Sequence, residues 1–288
     1  MASIRTKKVF AFIELMFSSL SPKAKGTTLI YAFIYGITCH FMFAIAVIAM
    51  IYHMFYGMQK SFGNFEGTLA IISNSALIIQ FPLVHSFLLS KKGQKLLNLL
   101  GPKNLASSLA TTSFTIIASM QLFCLFIFWS PSKIIYEMPF EFLGFILPIL
   151  YFVSWILLIV ATIDAGLEVQ SGALGWISVL TNRKPIFPPL PTKGLYSIIR
   201  HPIYASFFCA VITVPSWTAD QLAVSAILGG YCIFAPILKD RRLMKRHGDE
   251  YLRYKNITPY MIPVKTVSYT HLRAHETRHD LVCRLLLE

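Results

Sequence analysis

Five stretches of this chain reach or approach the roughly 20 consecutive apolar residues that a helix needs to cross a bilayer. They are residues 29–50, 68–89, 109–129, 142–163 and 221–238. A sixth apolar run, residues 203–217, is short and follows a polar motif. No soluble domain could bury runs of this length, and the composition agrees: 55% of the residues are hydrophobic and only 14% are charged. The expectation is therefore an all-α, polytopic membrane helix bundle with about six transmembrane helices. The run at residues 9–20 is shorter, holds Glu14 and lacks a small-residue cleavage pattern, so it reads as an interfacial helix and not as a signal peptide.

Orientation follows from Lys and Arg, which concentrate in cytoplasmic segments. Five precede the first span; the successive loops then carry one (Lys60), four, one (Lys133), four and none, and seven follow the last span up to Val264. Twenty therefore fall on one side and two on the other, which places both termini in the cytoplasm. Membrane topology accounts for the net charge of +13 without a nucleic-acid partner. The block "KDRRLMKR", residues 239–246, reads as a face on anionic lipid. The five cysteines show neither CxxC nor Cys/His spacing, so no disulfide framework and no metal site is indicated.

The chemistry-bearing stretch is "GLYSIIRHPIYASFF", residues 194–208. Pro202 suits the first turn of a helix, so the fifth span begins there, crosses outward, turns at "VPSWTAD" and returns to end near Leu238. Arg200, His201 and Tyr204 then lie at the same membrane level as Asp240. A helix N-terminus adds free N–H groups and positive dipole. An arginine suited to a carboxylate, a histidine, a ring and an acid at one mouth fit a zwitterionic ligand with an aromatic base. The bland reading of Arg200 is a snorkelling anchor.

The longer order Gly194, Tyr196, Arg200, His201, Pro202, Tyr204, a span pair, Asp240, then Gly248, Tyr251 and Tyr254 resembles the C-terminal half of the integral membrane methyltransferases typified by isoprenylcysteine carboxyl methyltransferase and phospholipid N-methyltransferase. The stretch "FPLVHSFLLSKKGQKLL", a span ending in Trp129, "ALGWISVL" and "PSWT" look like the NnrU-like branch, which includes methanethiol S-methyltransferase. The resemblance implies S-adenosylmethionine held at the cytoplasmic face of a bacterial inner membrane. It assigns Tyr196, Arg200, His201, Tyr204 and Asp240 to the cofactor, with Tyr251 and Tyr254 as supports. The acceptor it implies is a small thiol or a lipid or prenylated group. Two positions depart from the pattern: Lys239 and Asp240 stand where the family usually has two glutamates, and Ser206 where it often has glycine. If the site works, Asp240 is expected to act alone while Lys239 points away toward lipid phosphates.

Methyl transfer from a sulfonium needs alignment and exclusion of water more than it needs acid or base catalysis. For a thiol acceptor a nearby base helps, and His85 is the upstream candidate beside Arg200, near the inner end of the second span. Asn74, eleven residues earlier, falls on nearly the same helical face. A hydrogen bond between helices is the equally weighted alternative role for His85. Two other functional readings stand beside the methyltransferase: a non-enzymatic NnrU-like membrane protein, and an NADPH-dependent sterol-reductase-like enzyme, which shares an R-H-P-x-Y end.

The expected organisation is a cytoplasmic segment with the interfacial helix (residues 1–28), a four-helix half (29–163), a methyltransferase-like half (164–264) and a non-native tail (265–288). The tail resembles translated adapter sequence found at the ends of unrelated reading frames, so its three histidines carry no metal-site reading. The charge asymmetry predicts topology directly: reporters fused after Lys103 and after Lys193 are expected in the cytoplasm and one after Lys60 outside. An external reporter after Lys193 would remove the motif from the cytoplasmic face.

Overall fold

The computed structural model describes residues 2–137 and 140–264; the expected tail lies outside the described residues. The elements in order are α1 (Ala2–Ser18), α2 (Gly26–Phe55), α3 (Gly67–Leu88), α4 (Lys91–Leu97), α5 (Ala106–Ile127), α6 (Glu141–Ala165), α7 (Leu167–Gln170), α8 (Ala173–Leu180), a single 3-10 turn (Gly194–Ser197), α9 (Pro202–Ile212), α10 (Ala219–His247) and α11 (Asp249–Ile257). Helices are what lipid demands, because each backbone polar group must find its partner inside the segment. Five of them, α2, α3, α5, α6 and α10, are long and apolar enough to span a membrane.

Small residues let the helices approach, the usual means of helix contact in lipid. The buried face of α2 includes Ala32, Gly36, Cys39, Ala46 and Ala49, and it packs along α5 and α8. All of α8 is buried. Its Trp176 ring covers Gly36 so closely that a Cβ there would stand 2.7 Å from the ring, while its indole N–H donates to His40 (3.1 Å). α6 packs on α9, and α9 on α10, which also touches α3.

The sixth crossing differs from the expected span over 203–217. α9 has only 11 residues, or about 16 Å of rise, half the hydrocarbon thickness. Pro215 disfavours helix for the residue before it, and the chain runs outside any helix, through bends, from Thr213 to Thr218. Non-helical backbone at membrane depth must be covered by protein. Here the Val211 carbonyl accepts from Ser225 Oγ (2.6 Å) and Gln221 Nε2 (3.2 Å), and Thr218 Oγ1 donates to the Gly57 carbonyl while capping α10 by accepting from the Gln221 N–H. Six passes result, and α1 and α11 emerge at the same end of the bundle, where both contact the 194–200 segment or its anchor.

α1 also departs from the expected 9–20 helix by beginning at Ala2. The reason is electrostatic. Arg5 and Lys8, which make the sequence look too charged to pack, both engage Asp164 at the end of α6. At the opposite end of the bundle, Asp220 accepts from Trp129 Nε1 (3.0 Å), Gln59 Nε2 (2.8 Å) and Ser132 N (2.8 Å) and Oγ (2.7 Å). Asn74 belongs to that end, exchanging two hydrogen bonds with the Ser130 backbone (2.8 and 2.9 Å). It shares a helical face with His85, but eleven residues separate the two by about 16 Å along the axis.

Candidate active site

The site begins at a glycine. Gly194 opens the 3-10 turn with φ +70°, and a Cβ there would lie 2.2 Å from Asp164 Oδ2. The carboxylate takes that space because it accepts the Leu195 N–H (2.8 Å) and a two-pronged contact from Arg5, at 2.9 Å to each oxygen. One buried acid thus ties α1, α6 and the turn together. Sequence reasoning missed Asp164; the signals were a lone acid at the end of an apolar span and a basic N-terminal segment.

Six residues on, Arg200 and His201 lead into α9, with Pro202 at its first turn. Both converge on Asp240 of α10. Arg200 Nη1 donates to Oδ2 at 2.9 Å. His201 Nε2 lies 2.8 Å from Oδ1, within ion-pair range but out of line for a ring N–H hydrogen bond. Tyr251 of α11 donates its hydroxyl to the same Oδ1. Tyr254, one turn later, donates to the Tyr196 carbonyl (2.6 Å), closing a loop of contacts between the turn and α11. Of the residues singled out in the sequence, Tyr196, Arg200, His201, Asp240, Tyr251 and Tyr254 are joined in this way, and Tyr204 stands edge-on to His201 at 6.1 Å between centroids.

Tyr260 completes the wall and was not foreseen. Its ring lies 5.0 Å from His201 and under the Arg200 guanidinium (5.5 Å), and the Arg200 N–H donates to the neighbouring Pro259 carbonyl (2.8 Å). Only a Tyr three residues after a helix end hinted at it.

Lys239 corrects an expectation. Its ammonium does not turn toward lipid; it lies over the rings of Tyr204 (5.6 Å) and Tyr196 (5.8 Å). Cation–π attraction to those two rings accounts for the direction.

His85 sits apart from the Asp240 group, packed on Phe81 (5.0 Å) and Phe114 (4.9 Å) and edge-on to Tyr231 (6.3 Å). The Tyr231 hydroxyl is 3.2 Å from Ser86 Oγ. The structural hydrogen bond between helices considered for His85 is not formed through Nδ1, which is buried without a partner among the described residues.

Electrostatics set the protonation of the mouth. Burial pushes the His201 imidazole below its usual range, with the Asp240 carboxylate pulling the other way. Burial, then the adjacent carboxylate, raises Tyr251, so its phenol stays protonated and donates. Burial likewise raises Tyr196. Among the described residues, the buried polar atoms without a protein partner include several at this mouth: Arg200 Nε, both His201 ring nitrogens and the Tyr196 hydroxyl. Such groups are costly unless a ligand or solvent meets them.

No protein-family model matches the chain, and no solved structure matches it. Characterised proteins do. Methanethiol S-methyltransferase 1 of Bradyrhizobium diazoefficiens is 26% identical over 258 residues, covering 87% of this chain and 89% of that protein. The methanethiol S-methyltransferase of Crocosphaera subtropica is 23% identical over 239 residues, 81% of this chain and 92% of its own length. That of Pseudomonas deceptionensis is 23% identical over 211 residues, 72% and 79% respectively. Over most of its length the chain is similar to methanethiol S-methyltransferases. Its likeness to them runs through most of both sequences, so it takes in the N-terminal helices as well as the R-H-P-x-Y motif.

The fit of Gly194 against Asp164 gives a direct test. Gly194→Ala adds a methyl group at positive φ and against a committed carboxylate, and is expected to cost about 2 kcal/mol or more. Gly230→Ala, where a Cβ meets nothing within 4 Å, is expected to leave stability unchanged. Thermal unfolding in detergent compares the two; equal midpoints would show that the turn does not depend on this contact.

Proposed function

We propose that the chain is an S-adenosylmethionine-dependent methyltransferase that acts on a small thiol, at the cytoplasmic mouth of a bacterial inner membrane. The observation that carries the reading is the convergence of Arg200, His201 and Tyr251 on Asp240, beside relatives that are named for this chemistry. The Lys and Arg asymmetry supports the cytoplasmic side.

The residues present suit the cofactor. Arg200 Nε, unpartnered and buried, and the first-turn N–H groups of α9 are donors for a carboxylate. Tyr196, Tyr204 and Tyr260 offer aromatic faces, and His201 Nδ1 and the Tyr196 hydroxyl offer polar contacts. Bound there, S-adenosylmethionine supplies a methyl group that is already electrophilic. The protein's own work is then positional. Asp240 fixes Arg200 and His201, Tyr251 and Tyr254 clamp α11 over the turn, and the packed rings keep water out. In this reading residues 164–264 form the cofactor half and residues 29–163 the acceptor half. His85, with its aromatic surround, stands on the acceptor side. A wall of Phe81, Phe114 and Tyr231 suits a small apolar thiol.

Arg200→Ala is expected to weaken S-adenosylmethionine binding by about 1.5 to 3 kcal/mol, the scale of a charge-assisted hydrogen bond. Asp240→Ala is expected to abolish release of S-adenosylhomocysteine. Calorimetry measures the first, and turnover with methanethiol beside lipid extracts measures the second. Turnover of lipid but not of thiol would move the acceptor to the lipid class. A wild-type protein that neither binds the cofactor nor turns over any acceptor would favour the non-enzymatic reading, and binding of NADPH instead the reductase.

A further inference from the structure

One cation at the inner mouth has no acid of its own. Lys239 directly precedes Asp240, yet that carboxylate is taken up by Arg200, His201 and Tyr251. Among the described residues the Lys239 ammonium has no carboxylate within ion-pair distance. What faces it is known element by element. Tyr196 comes from the 3-10 turn and Tyr204 from α9, Asp240 and Arg242 come from its own helix, and His201 and Arg200 pair with that Asp240. The carboxylate beside Lys239 is therefore already paired with Arg200, and the remaining groups are neutral phenols, a second arginine and a buried imidazole. The place suits a negative charge, and among the described residues Lys239 meets ring faces and no carboxylate.

We propose that Lys239 Nζ holds the acceptor as an anion, pairing with the thiolate sulfur during methyl transfer. This rests on the thiol methyltransferase reading above. The thiolate is the attacking form of a thiol, and an ordinary alkyl thiol is mostly protonated at neutral pH. An ammonium fixed between two rings draws the thiolate form into the site. The thiol gives its proton to solvent as it binds. A sulfur lone pair then forms the new S–C bond while the bond from that methyl carbon to the donor's sulfonium breaks, its electron pair staying on the departing sulfur. One thiol and one sulfonium become two thioethers and one proton. The same charge discriminates between acceptor classes: it attracts an anionic sulfur and repels the cationic amine of a phospholipid headgroup. An acid at this position would do the reverse.

The test uses the full-length protein in detergent, as wild type, Lys239→Met and Lys239→Arg. Methanethiol is compared with benzenethiol, which is already ionised at neutral pH. Lys239→Met is expected to lose about tenfold or more in kcat/KM on methanethiol and less than about threefold on benzenethiol, as the loss of one charge-assisted contact implies. Lys239→Arg keeps most of the activity, and calorimetry finds S-adenosylmethionine bound by Lys239→Met no more weakly than by wild type. Equal losses on the two thiols, no loss on either, or failure of both variants to bind the cofactor overturns the proposal. A wild type that binds the cofactor but methylates neither thiol overturns it together with the thiol reading, while a wild type that binds no cofactor sinks the methyltransferase reading itself.

Discussion

Asp240 is the constraint on which the inner mouth depends. A carboxylate near the end of a membrane helix is expensive unless it is paired and hydrogen-bonded, and among the described residues this one is met by three side chains from two separate segments: Arg200 and His201 from the segment entering α9, and Tyr251 from α11. Each of those partners is fixed in turn, Arg200 by the Pro259 carbonyl and His201 by the Tyr260 ring. Removing the acid would leave buried donors and a buried guanidinium without compensation, so the four pieces stand or fall together.

The same device recurs twice. Asp164 gathers α1, α6 and the 3-10 turn, and Asp220 gathers the loops after α2 and α5 onto the start of α10. Between these nodes the bundle is held by close packing of small residues and rings, which is non-directional and sets no chemistry. The acids set direction. They decide which backbone stretch faces which, and two of the three lie at the end where the R-H-P-x-Y motif sits. The two ends therefore differ: Asp220 holds loops together, while Asp164 and Asp240 surround the segment that carries the motif.

The apolar runs made five spans legible, because a period of 20 apolar residues has few other meanings, and the motif spacing brought Arg200, His201 and Asp240 to one level before any coordinates. What escaped the sequence was pairing over distance. Arg5 and Asp164 are 159 positions apart, and nothing local tells a basic N-terminal segment that it will pack as helix from Ala2. The short sixth helix escaped because hydropathy does not register where Pro215 ends helical geometry. Asn74 shares a helical face with His85, as its spacing predicts, and the eleven residues between them put it about 16 Å away along the axis. Lys239 was sent to lipid by analogy with snorkelling lysines, whereas two rings 5.6 and 5.8 Å away hold it inside.

The central claim is that the Asp240 assembly frames the cofactor site, and a structure determined with S-adenosylhomocysteine bound tests it most directly. The account expects the ligand at the inner mouth, its carboxylate on Arg200 and the first turn of α9, its base against the tyrosine rings, and the Asp240 contacts intact. A ligand seated elsewhere, around Asp220 at the other end or in the cleft between α2 and α5 lined by Ile34, Tyr35 and Ile116, would contradict it.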